Sequence, residues 1–90
     1  MEMIEIAGRQ LPRNTACLTC EHVLSGDFVE HVFLDEEGDF QFLCDRPHTA
    51  EHAKVVAVDE IVEIDKMLTK LPELIEGQHA RRNGISWVIC

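Results

Sequence analysis

Ninety residues are enough for one domain with one modest core, and they leave no room for a second domain or a deep cofactor cleft. An apolar content of 46% argues against disorder, and one Trp, four Phe and no Tyr make the expected core mostly aliphatic. Seventeen acidic residues against eight basic ones give a net charge of −9, which repels phosphate backbones and speaks against nucleic-acid binding. The charge is uneven: residues 1–65 carry −11 and residues 66–90 carry +2. An acidic surface of this kind favours encounter with a basic partner.

The opening stretch MEMIEIAGRQ has no basic n-region and no sustained apolar run, so no signal peptide is expected. No window approaches the ~18 apolar residues of a membrane span. A cytoplasmic location is the resulting expectation, and there the four cysteines are expected as thiols or metal ligands rather than disulfides.

In chain order, residues 1–14 read as an arm: an edge strand up to Ile6, then a loop through GRQLPRN. Residues 15–58 read as a β-meander. Thr15 to Leu24 is rich in apolar and β-branched residues and predicts a strand, with Ser25-Gly26 as a tight hairpin turn. Phe28 to Leu34 alternates with period two and predicts the second strand. The DEEGD turn, with Gly38 left-handed, leads to a third strand at Phe40 to Cys44. Lys54 to Val58 predicts a fourth strand after the break at Pro47.

Residues 59–76 read as a helical segment. Asp59 can cap it, Ile61, Ile64 and Leu68 share a face, and Asp65 can cap a second short helix from Lys66 to Leu71. Residues 77–90 read as a loop and a last strand, Ile85 to Ile89, after Asn83-Gly84. The fold class expected is α+β: an antiparallel meander of three to five strands with the helical segment on one face.

With the turn, Asp39, Phe40, Gln41, Phe42, Leu43 and Cys44 form an acidic-Gly-acidic-aromatic pattern ending in Phe-Leu and a small residue. Glu63 to Leu68 and the IEG bend follow it, and the order of these signals from Ala16 to Trp87 resembles a family of small bacterial domains. That family, once catalogued as a domain of unknown function, is now grouped with the immunity proteins of polymorphic toxin systems. The resemblance implies a protein that blocks a toxin by binding it.

Two sets of residues carry candidate chemistry. Cys17-x2-Cys20 and Cys44-x3-His48 make a formal three-cysteine, one-histidine zinc set, with His52 or Cys90 as substitute ligands. On an extended strand, however, residues three apart face opposite sides, and no turn is evident at Cys17 to Cys20. Core packing of Cys20 and Cys44, with Cys17 on the other side, is therefore the preferred reading, and no cofactor is expected. The acidic set Glu30, Asp35, Glu36, Glu37 and Asp39 is the candidate surface for a basic protein partner. Asp35 to Asp39 lacks calcium-loop spacing, and no Gly-rich phosphate loop is present. No cysteine sits in a nucleophile-elbow or helix-start context, so no enzyme is expected. Lys66, Lys70, Arg81 and Arg82 read as a thin basic face of long snorkelling side chains. Function thus reads as non-catalytic binding of a basic protein, with a small structural zinc domain as the alternative.

Overall fold

The computed structural model describes residues 2–47 and 50–90. Its first element is a hairpin. Strand β1 (Met3–Ile6) pairs antiparallel with β2 (Arg9–Pro12) as a two-stranded sheet of its own. Ala7 and Gly8 make the two-residue turn, both with positive φ (52° and 81°), as primed hairpin turns require. Gly8 is needed twice over, because a Cβ there would lie 2.8 Å from Glu73 Cγ. The segment expected as a loop is thus half of a hairpin. It is tied down by the bond from Leu74 N–H to the Ala7 carbonyl and by the Arg9–Glu76 ion pair at 2.6 Å.

The main sheet has six strands in the order β6-β3-β5-β4-β7-β8. They are β3 (Ala16–Cys20), β4 (His31–Leu34), β5 (Phe40–Leu43), β6 (Ala53–Ala57), β7 (His79–Asn83) and β8 (Ser86–Ile89). Every pairing is antiparallel except β3 with β5. The α+β class stands; the simple meander does not. The expected first strand stops at Cys20, and Glu21–Leu24 forms a helical turn, α1. Glu21 and Leu24 are good helix formers, and Val23 is the one β-branched residue of the four. Ser25 N–H bonds to the Glu21 carbonyl and Gly26 N–H to the Val23 carbonyl, both at 3.0 Å. Gly26, with φ 118°, therefore closes a helical turn and not a β3–β4 hairpin. The chain crosses before entering β4, and β5 folds back into the space between.

The second hairpin is as expected. Asp35 N–H bonds to the Asp39 carbonyl, Gly38 has φ 88°, and Asp35 Oδ1 accepts from the N–H groups of Glu37 and Asp39. Helix α2 (Val58–Ile64) starts one residue before Asp59, on Ala57, with no side-chain cap; Asp59 and Glu60 lie in its first turn. Asp65 caps the following 3₁₀ helix (Lys66–Lys70) by accepting from Met67 N–H at 3.1 Å, as its position suggested. Residues 71–75, expected as helical, have no helical structure, yet Leu71 and Leu74 are buried. A short 3₁₀ turn (Ala50–His52) leads into β6.

Strand β7 was not expected. HARRN has no strand signature, and the segment is extended because β4 and β8 pair with it on both sides.

Val32, Leu34, Phe40, Phe42, Ala80, Cys17, Thr19 and Trp87 bury one face of the sheet. Over them lie Val58, Ile61, Val62, Leu68, Leu71 and Leu74, with Ile6 and Ala7 of the hairpin. Asp65 and Arg82 meet in this layer at 2.6 Å, with side chains only 6% and 9% exposed. The same Asp65 oxygen accepts from Val29 N–H, and the guanidinium lies 5.0 Å from the Phe28 ring and 5.2 Å from Trp87. Arg82 is therefore part of the interior and not of a basic surface. The opposite face, with His31, Phe33, Leu43, Gln41, Leu18 and His79 half-buried, has Val55 71% exposed. No helix among the described residues is long and apolar enough to cross a membrane.

Candidate functional site

Of the four cysteines, two meet. Cys20 ends β3 and precedes α1, and Cys44 follows β5, the neighbour of β3. Their sulfurs are 3.4 Å apart, buried at 0% and 3% exposure. The turn of α1 brings His22 to the same point, with Nδ1 3.4 Å from Cys44 Sγ. Ligand-capable atoms of Cys20, His22 and Cys44 all lie within 4.8 Å of one another. The ring of His52, just ahead of β6, stands with its centroid 4.8 Å from that of His22.

Cys17 is outside this group. It is buried among the core residues, and burial together with the nearby Glu60 carboxylate pushes its thiol up to about 12. Cys17 thus stands apart from the Cys20–Cys44 group, which His22 joins instead. Cys90 is exposed beyond β8, four strands away from β3 in the sheet order. His48 lies outside the described residues. Burial raises the Cys44 thiol as well, with the hydrogen bond and charge of Cys20 adding to it and the Arg46 backbone opposing.

The acidic candidates split. Asp35, Glu36, Glu37 and Asp39 stand together at the β4–β5 tip. Glu30 precedes β4 at its other end, roughly 16 Å away at ~3.3 Å per residue, beside Asp27, Phe28 and Arg46. The tip adjoins the open face of the sheet: Asp35 and Asp39 line one shallow hollow of about 280 Å³ with Leu18, Gln41 and Val55.

A second feature of that face was missed by sequence reasoning. Phe33 and His79, paired across β4 and β7, stack with centroids 4.1 Å apart and planes 7° from parallel. His31 Nδ1 lies 3.2 Å from His79 Nε2, and His31 Nε2 lies 3.0 Å from Asp45 Oδ1. His79 is held below the ordinary histidine value by burial first, then by His31 and Arg81. With β7 unread, no local signal paired His79 with Phe33. These rings, Leu43 and Pro47 line a hollow of about 430 Å³.

Searches against protein-family models, curated proteins and solved structures find no match for the chain.

Proposed function

We propose that this chain is a non-catalytic binding protein that presents the open face of its sheet and the adjoining acidic tip to a basic protein. One observation carries the reading. The helical segments cover one face of the sheet, while the other carries Leu18, Val55, Leu43 and the Phe33–His79 stack, interspersed with Gln41 and His31, beside the carboxylates of Asp35 and Asp39. Apolar and aromatic contact area mixed with polar groups is what protein interfaces use. Phe33, Leu43 and Val55 supply contact area, and Asp35, Glu36, Glu37 and Asp39 supply steering toward positive charge. A toxin neutralised by occlusion, as the family resemblance implies, is a partner of this chemistry.

The charge also says which occupant to prefer. A second copy of a chain at −9 brings like charge to the contact, whereas a basic protein relieves it.

The test is an NMR titration of the isotope-labelled protein with a basic partner that has been captured on it and then purified. Shift changes should map to Phe33, Gln41, Leu43, Val55 and the tip. Phe33→Ala should weaken binding at least tenfold, as removal of a central aromatic anchor does. Perturbations confined to the α2 side would overturn the reading. So would sedimentation showing a dimer that buries the open face.

A further inference from the structure

We propose that Cys20, His22, Cys44 and His52 hold a zinc ion in a tetrahedral site at the junction of β3, α1 and β6. The set differs from that suggested by spacing, because the turn needed to converge ligands comes after Cys20 instead of between Cys17 and Cys20.

The distances carry the inference. Zinc bonds sulfur at about 2.3 Å and imidazole nitrogen at about 2.0–2.1 Å, so a tetrahedron on those bonds has edges of about 3.8 Å for S···S and about 3.6 Å for S···N. The sulfurs of Cys20 and Cys44 are 3.4 Å apart, and Cys44 Sγ is 3.4 Å from His22 Nδ1. Two edges of the tetrahedron therefore exist to within a few tenths of an ångström. The remaining Cys20–His22 edge, at no more than 4.8 Å, closes by about 1.2 Å at most, within the reach of a half-buried histidine on a single helical turn.

The fourth position is the one we assign to His52, whose ring nitrogens lie outside the 4.8 Å group of the other three and would have to close on it. Ala53, its neighbour in sequence, pairs with Cys20 in the β3–β6 register, and its ring already stands beside that of His22. Two thiolates and two imidazoles form a donor set suited to zinc, whereas oxygen-seeking calcium and magnesium prefer other ligands. Access is short: Cys44 also lines a surface hollow with Gly26, Asp27, Glu30 and Asp45, whose carboxylates favour the approach of a cation. Four protein donors with buried sulfurs leave no open coordination position, which is the arrangement of a structural site.

The experiment titrates reduced, chelator-stripped full-length protein with Co²⁺ and follows visible and near-ultraviolet absorption. The expected result is one equivalent bound, with tetrahedral d–d bands and a thiolate-to-cobalt charge-transfer band, all abolished by added Zn²⁺. Cys17→Ser should bind cobalt as the parent does. Cys44→Ser should lose the charge-transfer intensity of one thiolate, and His22→Ala and His52→Ala should each lose at least tenfold in affinity. Circular dichroism on every variant separates loss of a ligand from loss of the fold. His22 is half-buried and outside the core, so its variant keeps the test decisive if Cys44→Ser unfolds. Absence of tetrahedral bands at excess Co²⁺ would overturn the site, as would parental affinity in folded His22→Ala. Parental affinity in His52→Ala would remove His52 from it, and loss of binding in folded Cys17→Ser would return the site to the C-x2-C pair.

Discussion

The two faces of the six-stranded sheet are made from the same strands and differ in what is laid over them. On the covered face Val32, Phe42, Ala80 and Trp87 meet α2, the 3₁₀ helix and the β1–β2 hairpin, and Thr19 bonds to the Phe42 carbonyl and Asp65 to an Arg82 terminal nitrogen, with Arg82 Nε left unpaired. On the open face the residues one position along the same strands, His31, Phe33, Leu43, His79 and Arg81, keep contact with solvent. The chemistry there is titratable and aromatic. The difference teaches that the covered face answers for stability while the open face, under the proposed function, is left to recognition, and the two should separate under mutation.

The largest effect is expected at Asp65. Its carboxylate serves Arg82, Val29 N–H and Met67 N–H at once, so removing it strands a buried guanidinium and two backbone donors. Asp65→Ala should cost about 3–5 kcal/mol, as breaking a buried pair from one side does, out of a total stability of order 5–15 kcal/mol. Urea unfolding would measure it. Asp65→Asn, which keeps an acceptor oxygen for the backbone groups, should recover part of the loss. If Asp65→Ala costs less than about 1 kcal/mol, as surface pairs do, the covered face does not depend on this node.

A paired substitution comes next in size and compares the faces directly. Phe42, fully buried, and Phe33, half-buried, are of the same residue type on neighbouring strands. Phe42→Ala should cost about 3–5 kcal/mol through lost transfer energy and a cavity. Phe33→Ala should cost less, mostly the stacking on His79 that such aromatic pairs supply at about 0.5–1.5 kcal/mol. Equal losses would mean that the open face is as much a core as the other.

How far these features were legible in the sequence depends on how local their causes are. The β4–β5 hairpin was readable because its turn, its carboxylate cap at Asp35 and its alternating strands lie within thirteen residues. The cap at Asp65 was readable for the same reason, but its partner Arg82 was not, since seventeen residues and a chain reversal separate them. Ser25-Gly26 misled because a glycine after an apolar run closes a helical turn as readily as a hairpin. Strand β7 was hidden because pairing on both sides overrides the weak propensity of HARRN. At the cysteine cluster, the preferred reading buried Cys20 and Cys44 and set Cys17 apart from them, as found, whereas the zinc alternative joined Cys17 to them and passed over His22. Yet Cys20 and His22, two apart, would share a side even on an extended strand, so that signal was available.

A smaller effect concerns pH. His79 is depressed below the ordinary value of 6.5, by burial first and then by the nearby His31 and Arg81, with Asp45 on the far side of His31. The folded state therefore binds fewer protons than the unfolded chain in the window just below pH 6.5. The contribution of His79 is fully present above the unfolded value and is lost as pH falls through the depressed folded one. Parallel unfolding titrations starting above the ordinary histidine value and running down through it would follow the loss. The parent should lose stability on acidification, and His79→Gln should lose less. Identical slopes would mean that the open-face histidines do not couple to folding.

The smallest effect on stability, and the most telling for function, is expected at the acidic tip. Glu36, Glu37 and Asp39 are exposed, and the hydrogen bonds of Asp35 go to backbone N–H groups that an asparagine oxygen can also serve. Replacing Asp35, Glu36, Glu37 and Asp39 together by Asn or Gln should leave unfolding within about 0.5 kcal/mol of the parent, since it removes surface charge without opening a cavity or stranding a buried group. It also removes four of the negative charges that would steer a basic protein to the open face. Association should slow and its salt dependence should flatten, because the attraction being screened falls off over about 10 Å at 0.1 M salt and about 3 Å at 1 M. Dissociation should change less, since under the proposed reading it would follow the apolar contacts of Phe33, Leu43 and Val55. Stopped-flow association at several salt concentrations separates the two contributions. An unchanged rate with an unchanged salt slope would detach the tip from the recognition surface and leave the aromatic strip to act alone; a large loss of stability would show that the two faces are not independent.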